Sequence, residues 1–212
     1  MIETTKKILL GVLVLPLVLL AVDSVEPEKE YTDTTVLGKE EVVEPTPEPE
    51  PIPEPEPEAP KVWVCEDCTE NEKTVLKFLQ EKGIKDKYAL AVLMGNIKQE
   101  SLFHPNICEG GARVPYNRCY RGGYGLIQWT TDKRYYGLGQ FVKRWGGDPS
   151  TLDTQLRYMV VETEWRNVEH IFKTPGLSQD KYMNAAYQWL RWGIHGARTT
   201  YSNQYLNRLT QV

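Results

Sequence analysis

The pattern of apolar and polar positions after residue 60 predicts a series of amphipathic helices. Between about residues 86 and 101, apolar side chains recur three and four residues apart: Leu90, Leu93, Met94 and Ile97. Glu100 follows three residues after Ile97 and therefore shares that face. A carboxylate that points inward is costly to ionise, so it tends to stay protonated, as a general acid must be. Most glutamates at a helix edge are solvated instead, and periodicity alone leaves that alternative open.

Further helices are predicted on both sides of this one. Thr69-Glu70-Asn71-Glu72 matches a capping box, which begins a helix that ends at Gly83. Similar patterns predict four more helices, at about 134–145, from Ser150 to about 165, after Ser178, and around 201–209. Frequent proline and glycine exclude a regular helix from residues 102–125, where short strands still fit. The sequence therefore predicts one mainly α domain over residues 61–212.

Residues 1–22 have the pattern of an export signal. Lys6 and Lys7 precede an uncharged apolar segment from Ile8 to Val22. As a helix this segment spans roughly 22 Å, short of the ~30 Å hydrocarbon core of a bilayer. It fits a signal peptide or a weak signal anchor, and the sequence does not decide whether it is cleaved. The basic residues before it and the acidic residues after it predict export of the C-terminal part.

Residues 23–60 are predicted to form a disordered acidic linker, because they contain almost no large apolar side chains. Between residues 44 and 60, eight prolines alternate with glutamates. Such a segment prefers an extended polyproline II form and reaches roughly 50 Å. It is either a spacer that holds the domain away from a membrane or simply a disordered tail.

The charge of the chain is divided between these two parts. Residues 1–60 have a net charge of −10, whereas residues 61–212 have a net charge of +6. A basic domain is typical of a protein with an anionic partner, such as cell wall or lipid headgroups, although an ordinary basic surface is an alternative. No run of Lys and Arg is dense enough to predict a nucleic-acid patch.

Two motifs point to a specific chemistry. The first is Gly95-Asn96-Ile97-x-x-Glu100-Ser101, followed by Phe103 and Pro105, and the second is Gly123-Tyr124-Gly125-Leu126-x-Gln128-Trp129. Together they resemble the phage tail lysozyme family, within the lysozyme-like superfamily that includes goose-type lysozymes and lytic transglycosylases. The resemblance covers most of residues 70–210, including Arg134, Gln155-Leu156 and Gly196-x-Arg198. It implies an α+β, mainly α, lysozyme-like fold and cleavage of the β-1,4 bond between N-acetylmuramic acid and N-acetylglucosamine in peptidoglycan.

The resemblance also assigns roles to individual residues. Glu100 is expected to protonate the leaving oxygen of the glycosidic bond. The predicted substrate-binding residues are Ser101, Tyr124, Gly125, Gln128 and Trp129. A glycine lets backbone approach a sugar without interference from Cβ, and the Gln128 amide suits hydroxyl or N-acetyl groups. The two aromatic rings offer flat faces to sugars, although a core position is an equally good interpretation for Trp129.

The second catalytic carboxylate is not identified by the sequence. Glu109 and Asp132 are candidates, but each is also a typical solvated surface acid. A lytic transglycosylase needs only one glutamate, because the 6-hydroxyl of the sugar attacks and leaves a 1,6-anhydro product. Ala185-Ala186-Tyr187 weakly resembles a third motif of the transglycosylase cleft, and core packing is the preferred interpretation there.

The four cysteines predict disulfides rather than a metal site. Cys65-x-x-Cys68 with a distant second pair would suit zinc, but Cys108 and Cys119 are not spaced as a second zinc pair. In an exported domain disulfides are favoured. We expect Cys108–Cys119 to close the loop between the two motifs, with a stabilisation of about 3 kcal/mol. Cys65 then pairs with Cys68 as the remainder.

These observations favour an exported muramidase encoded by a phage, acting as an endolysin at lysis. It would lie on the periplasmic side of the host inner membrane, tethered by residues 1–22 or released. We expect a monomer that binds peptidoglycan glycan strands and needs no cofactor, metal or nucleic acid. A tail-borne enzyme would share the catalytic domain but has little use for an export signal. The alternatives are a non-catalytic peptidoglycan-binding module and, less compatible with the apolar N-terminus, a cytosolic zinc-containing interaction domain.

Overall fold

A computed structural model describes residues 61–120 and 123–212, without the side chains of residues 131 and 132. This part of the chain is mainly α, as predicted, and contains eight α-helices, one 3₁₀ helix (Tyr116–Arg118) and one small antiparallel sheet. The helices are α1 (Glu70–Glu81), α2 (Lys87–Ser101), α3 (Thr131–Trp145), α4 (Leu152–Met159), α5 (Thr163–Arg166), α6 (Glu169–Lys173), α7 (Gln179–Leu190) and α8 (Arg198–Arg208). The strands are β1 (Trp63–Val64) and β2 (Thr210–Gln211), which pair in the register Trp63–Gln211 and Val64–Thr210.

Helix α2 forms the centre of the domain. Asp86 caps its N-terminus, where the carboxylate accepts hydrogen bonds from the backbone N–H groups of Tyr88 and Ala89. All residues from Ala89 to Ile97 are buried, so this helix is covered on every side and has no single apolar face of the kind predicted. Partial exposure returns just before its C-terminus, where Glu100 lies. The central helix therefore delivers the predicted acid to the edge of the core.

Helix α8 packs unusually closely against α2, and Gly95 makes this possible. A Cβ atom at Gly95 would lie only 2.4 Å from the backbone nitrogen and from Oγ of Ser202. The two helices run antiparallel, because Gly95 meets Ser202 while Gln99 meets Ala197. The start of α8 consequently lies beside the end of α2, next to Glu100.

Helix α1 is held by the predicted capping box. Thr69 Oγ1 accepts from the backbone N–H of Glu72, and the Glu72 carboxylate accepts from the backbone N–H of Thr69 at 2.7 Å. Glu72 also accepts a hydrogen bond from the Tyr205 hydroxyl of α8. Burial acts to raise the pKa of Glu72, but the hydrogen bonds from Tyr205 and Thr69 and the charge of Arg208 outweigh it and lower that pKa below its ordinary value. Helix α1 is thereby joined to α8 through one buried carboxylate.

Several element boundaries differ from the predicted ones. Helix α3 begins at Thr131 rather than near residue 134, and α8 begins at Arg198 rather than near residue 201. The single helix predicted from Ser150 to about residue 165 is two helices, α4 and α5. They are separated because Glu162, the N-cap residue of α5, has an extended backbone and buries its side chain. Helix α6 and the strand pair were not predicted.

The segment between the two motifs is irregular, as predicted. Isolated bridges pair Cys108 with Tyr124 and Tyr124 with Trp129. The structure pairs Cys108 with Cys119, at an S–S distance of 2.03 Å, and Cys65 with Cys68, at 1.99 Å. Both pairings are the expected ones.

The N-terminal predictions lie outside the described residues. This applies to the signal segment at residues 1–22 and to the acidic linker at residues 23–60. Within the described part of the chain, none of the helices combines the length and apolar character needed to span a membrane.

Candidate active site

Glu100 lies in the last turn of α2, with 14% of its side chain exposed. The chain turns sharply after it, because Leu102 and Phe103 both adopt positive φ angles, of 50° and 62°. Its carboxylate accepts a hydrogen bond from Arg198 Nη2, with an Oε1–Nη2 distance of 2.5 Å. The predicted acid is thus neither buried without contacts nor freely solvated; it is held by one cation at the edge of the core.

Arg198 is the first residue of α8 and is almost completely buried, with 4% of its side chain exposed. Its guanidinium carbon lies 4.4 Å from the ring centroid of Trp192, as in a cation–π contact. Its Nε and Nη1 atoms are buried and have no hydrogen-bond partner within the described residues. Gln99 holds the backbone just before Arg198 in place, because its Oε1 accepts a hydrogen bond from the backbone N–H of Ala197 at 2.8 Å.

The surroundings of Glu100 push its pKa in opposite directions. Burial raises the pKa of Glu100, because the charged form loses solvation. The charge and hydrogen bond of Arg198, and the charge of Arg134, lower it. Burial is the largest of these effects, and the pKa of Glu100 is raised above its ordinary value. A carboxyl group in such a position can carry a proton at a higher pH than an exposed glutamate.

Ser101 and Gly125 connect the two motifs rather than forming an open binding surface. Ser101 Oγ donates to the carbonyl oxygen of Leu126 at 2.8 Å and accepts from the backbone N–H of Phe103. Gly125, at φ 73°, lies so close to the Gln155 amide that a Cβ atom would be 2.5 Å from it. The glycine is needed here for contact with Gln155, and not for the approach to a sugar that the sequence predicted.

Gln155 supports the turn that follows Glu100. Its Oε1 accepts from the backbone N–H of Leu126 at 2.7 Å, and its Nε2 donates to the carbonyl oxygen of Pro105 at 2.6 Å and of Pro149 at 2.7 Å. One buried amide therefore links α4 to both motifs. The two motifs are therefore held together by the hydrogen bonds of Gln155 as well as by those of Ser101.

The two aromatic rings of the second motif belong to the core. Tyr124 and Trp129 are both 0% exposed. The Tyr124 hydroxyl donates to the carbonyl oxygen of Val114 at 3.0 Å, and Trp129 Nε1 donates to Glu162 Oε2 at 3.0 Å. Neither ring presents a face to a sugar in this structure, so the core interpretation of Trp129 replaces the stacking prediction, and the same correction applies to Tyr124.

Gln128 and Glu109 lie together at the partly exposed edge of the second motif. Gln128 has a positive φ of 51°, and its Nε2 donates to the carbonyl oxygen of Gly125 at 3.0 Å. A Cβ atom placed on Gly123 would be 3.4 Å from Glu109 Oε2 and 3.5 Å from Gln128 Oε1. Glu109 is exposed. The side chain of Asp132, the other candidate carboxylate, lies outside the described residues.

The family model described as phage tail lysozyme matches residues 70–207. This match covers well over half of the chain and includes both motifs. The chain belongs to the phage tail lysozyme family. That membership gives it a lysozyme-like role in peptidoglycan cleavage and the class of a glycosidase. No curated protein and no solved structure matches the chain.

One buried charged group, Glu162, was not predicted from the sequence. Glu162 is 6% exposed and accepts four hydrogen bonds, from the indole nitrogens of Trp129 and Trp189 and from Nε and Nη2 of Arg134. The donor–acceptor distances lie between 2.7 and 3.0 Å. No local signal indicates this role, because Glu162 lies within the single helix predicted from Ser150 to about residue 165 and its partners are distant in sequence. Its oxygens are fully occupied, so we assign it a structural role.

The cysteines of this lysozyme family member do not form a metal site. Cys65, Asp67 and Cys68 are close enough to bring three donor atoms together. However, every cysteine of the chain is in a disulfide, so none of them can act as a thiolate ligand. This arrangement contradicts the alternative of a zinc-containing domain.

Proposed function

We propose that this protein is a muramidase that cleaves the β-1,4 bond between N-acetylmuramic acid and N-acetylglucosamine, with Glu100 as the general acid. The observation that carries the proposal is the position of Glu100. It ends the buried central helix, remains 14% exposed, and has a pKa raised by burial. A general acid requires this combination of access to substrate and a proton retained near working pH.

In the first step, Glu100 donates its proton to the glycosidic oxygen as the bond to the anomeric carbon breaks. The leaving sugar departs with a hydroxyl group, and positive charge develops on the ring that remains. Glu100 becomes a carboxylate at that moment. Arg198, at 2.5 Å, then stabilises the new negative charge. We infer that Arg198 keeps the pKa of Glu100 from rising so far that the proton is no longer released.

The second step requires a nucleophile, and two routes are chemically consistent with one acid. Water activated by a second carboxylate gives hydrolysis and a reducing end. Glu109 supports this route, because it is exposed beside Gln128 at the edge of the second motif. Attack by the sugar's own 6-hydroxyl gives a 1,6-anhydro end without a second acid. Glu162 suits neither route, since four donors already occupy it.

We further propose that the enzyme is an exported phage endolysin that works on the periplasmic side of the inner membrane. Two disulfides in the described residues are consistent with an oxidising compartment. Residues 1–22 would direct export and either anchor the chain or be removed, and residues 23–60 would span the distance to the wall. The catalytic domain then occupies residues 61–212 and acts as a monomer on glycan strands.

Mass spectrometry of the fragments released from purified peptidoglycan tests this proposal. New reducing ends on N-acetylmuramic acid are the result expected of a muramidase. Reducing ends on N-acetylglucosamine would contradict the bond assignment, and 1,6-anhydro ends would identify a lytic transglycosylase. Binding to peptidoglycan without any soluble fragment would identify a non-catalytic module instead.

A further inference from the structure

An aromatic group lies beside the Glu100–Arg198 pair and takes no part in the proposed proton transfer. It consists of Tyr187, Trp192 and His195, here called the Trp192 cluster. The ring centroids of Tyr187 and Trp192 are 5.1 Å apart, and those of Trp192 and His195 are 5.9 Å apart, both in edge-to-face geometry. Tyr187 is 45% exposed, His195 is exposed and Trp192 is half-buried. The cluster therefore reaches the surface.

The Trp192 cluster is separated from the catalytic acid by a single guanidinium group. The Arg198 guanidinium carbon lies 4.4 Å from the Trp192 ring centroid, and Arg198 Nη2 lies 2.5 Å from Glu100 Oε1. Because Arg198 is fixed between these two groups, the indole has a defined position relative to the carboxylate. A ligand on the cluster would be separated from the Glu100 carboxylate by the Arg198 side chain.

We propose that the Trp192 cluster is a sugar-binding subsite that holds one N-acetylated pyranose ring of the glycan strand adjacent to the cleaved bond. This inference rests on the proposed muramidase function. The C–H groups on one face of a pyranose carry partial positive charge and pack on the negative face of an aromatic ring. The Tyr187 hydroxyl and the His195 ring nitrogens supply polar groups for sugar hydroxyls at the rim. Pockets for small ligands combine apolar faces with a few such polar groups.

In this proposal a sugar ring stacks on the Trp192 cluster, and not on Tyr124 or Trp129 as the sequence predicted. Tyr124 and Trp129 are fully buried, whereas Tyr187 is open to solvent. Ile194, which is 83% exposed, adds apolar surface to the same loop.

Trp145 provides a matched control elsewhere on the molecule. Its indole is 60% exposed and has Arg144 at 4.9 Å from the ring centroid, which reproduces the tryptophan–arginine chemistry of the cluster. It ends α3 and lines a different groove, with Phe78 and Phe141. A generic effect of losing a surface tryptophan will appear in both places, while loss of a subsite will appear only at Trp192.

The experiment measures binding to purified insoluble peptidoglycan by co-sedimentation, with the full chain carrying Glu100→Gln so that substrate persists. Trp192→Ala and Tyr187→Ala are expected to weaken binding about tenfold each, since an aromatic contact contributes about 1–1.5 kcal/mol. Trp192→Phe retains a ring face and should bind nearly as the parent does. Trp145→Ala should leave affinity within about twofold of the parent.

Thermal denaturation of each variant accompanies the binding data. If Trp192→Ala lowers the melting temperature strongly, Tyr187→Ala decides the outcome, because that exposed ring is not needed to hold Arg198. Affinities of the cluster variants equal to that of Trp145→Ala would overturn the subsite. Cleavage by the chain with native Glu100 is scored separately. An active enzyme with unchanged binding in the cluster variants overturns only the subsite, whereas cluster-dependent binding without cleavage contradicts only the muramidase function.

Discussion

Arg198 Nη2 donates to Glu100 Oε1 across 2.5 Å, although the two residues lie 98 positions apart in the chain. The pair forms because α8 packs closely against α2 at Gly95 and because Gln99 accepts a hydrogen bond from the backbone N–H of the residue before α8. Burial favours the protonated form of Glu100, and the guanidinium favours the ionised form. The balance between burial and the guanidinium charge sets the pH range in which Glu100 carries its proton.

Replacing Arg198 should therefore change the pH profile of the enzyme. A general acid works only while protonated, so activity falls as pH rises through its pKa. Arg198→Gln removes the cation that lowers the pKa of Glu100, and the alkaline limb of kcat/KM should move to higher pH. Arg198→Lys retains the charge and should leave the limb closer to its original position.

The matched control for the Arg198 variants is Arg144→Gln, because Arg144 also stacks on a tryptophan. That variant should not move the limb. A limb in Arg198→Gln that stays in place or moves to lower pH would show that Arg198 does not act on the proton of Glu100. A uniform loss of activity at all pH values would indicate a role in folding only.

Glu100 should also make the stability of the protein depend on pH. Because the pKa of Glu100 is raised in the folded state, the folded protein holds this proton more tightly than the unfolded chain does. Ionisation therefore destabilises the fold as pH rises from the unfolded pKa through the folded one. Glu100→Gln cannot ionise, so its stability relative to the native chain should increase over that interval and remain constant below it.

Chemical denaturation of both proteins at several pH values measures this difference. Glu66→Gln, which makes the same substitution at an exposed position, is the control. If the stability of Glu100→Gln relative to the native chain decreased with rising pH, the effect of Arg198 on the pKa of Glu100 would be larger than the effect of burial. The account of a desolvated acid would then have to be abandoned.

Gly95→Ala should move Arg198, on α8, away from Glu100, on α2. The new methyl group would approach the Ser202 backbone to 2.4 Å, so α8 must shift away from α2. Overpacking of this kind costs about 1–3 kcal/mol of folding stability, and the displaced Arg198 should reduce activity as well. Gly193→Ala is the comparison, because nothing lies within 4 Å of its Cβ position. Equal melting temperatures for the two variants would contradict the close packing of the helices.

Glu162→Gln tests the structural role assigned to the Glu162 carboxylate. Its amide nitrogen would oppose N–H donors of Arg134 or of an indole, and Arg134 would lose its counter-charge. Breaking a buried pair in this way costs about 3–5 kcal/mol, which urea denaturation measures. The nearby Glu164→Gln should cost much less. A stable and inactive Glu162→Gln protein would instead give Glu162 a part in the chemistry.

The features that the sequence predicted correctly depend mainly on local interactions. The capping box at Thr69 and the Ser178 cap of α7 are set within four residues of chain, and both are present in the structure. Such signals act through nearby backbone groups, and at these two positions the cap hydrogen bonds form as predicted. The irregular segment between the motifs was equally predictable from its prolines and glycines.

The features that the sequence missed depend on distant contacts. Gly95 appears in the sequence only as part of the first motif, but the reason for a glycine there is the close approach of the Ser202 backbone on another helix. Trp129 is a residue type that often stacks on sugars. In this structure its indole nitrogen instead donates to the buried carboxylate of Glu162, which lies 33 residues away in the chain. Spacing within one helix could place Glu100 on the inward-facing side, but only the packing of α8 could show that Arg198 is its partner.

The most direct test of the central claim is the rate at which Glu100→Gln releases soluble fragments from purified peptidoglycan. General acid catalysis contributes roughly 100-fold or more, so the rate should fall by at least that factor while the melting temperature shows a folded protein. Glu66→Gln should keep the native rate. A folded Glu100→Gln protein that degrades peptidoglycan at a rate close to that of the native chain would contradict the assignment of Glu100 as the catalytic acid.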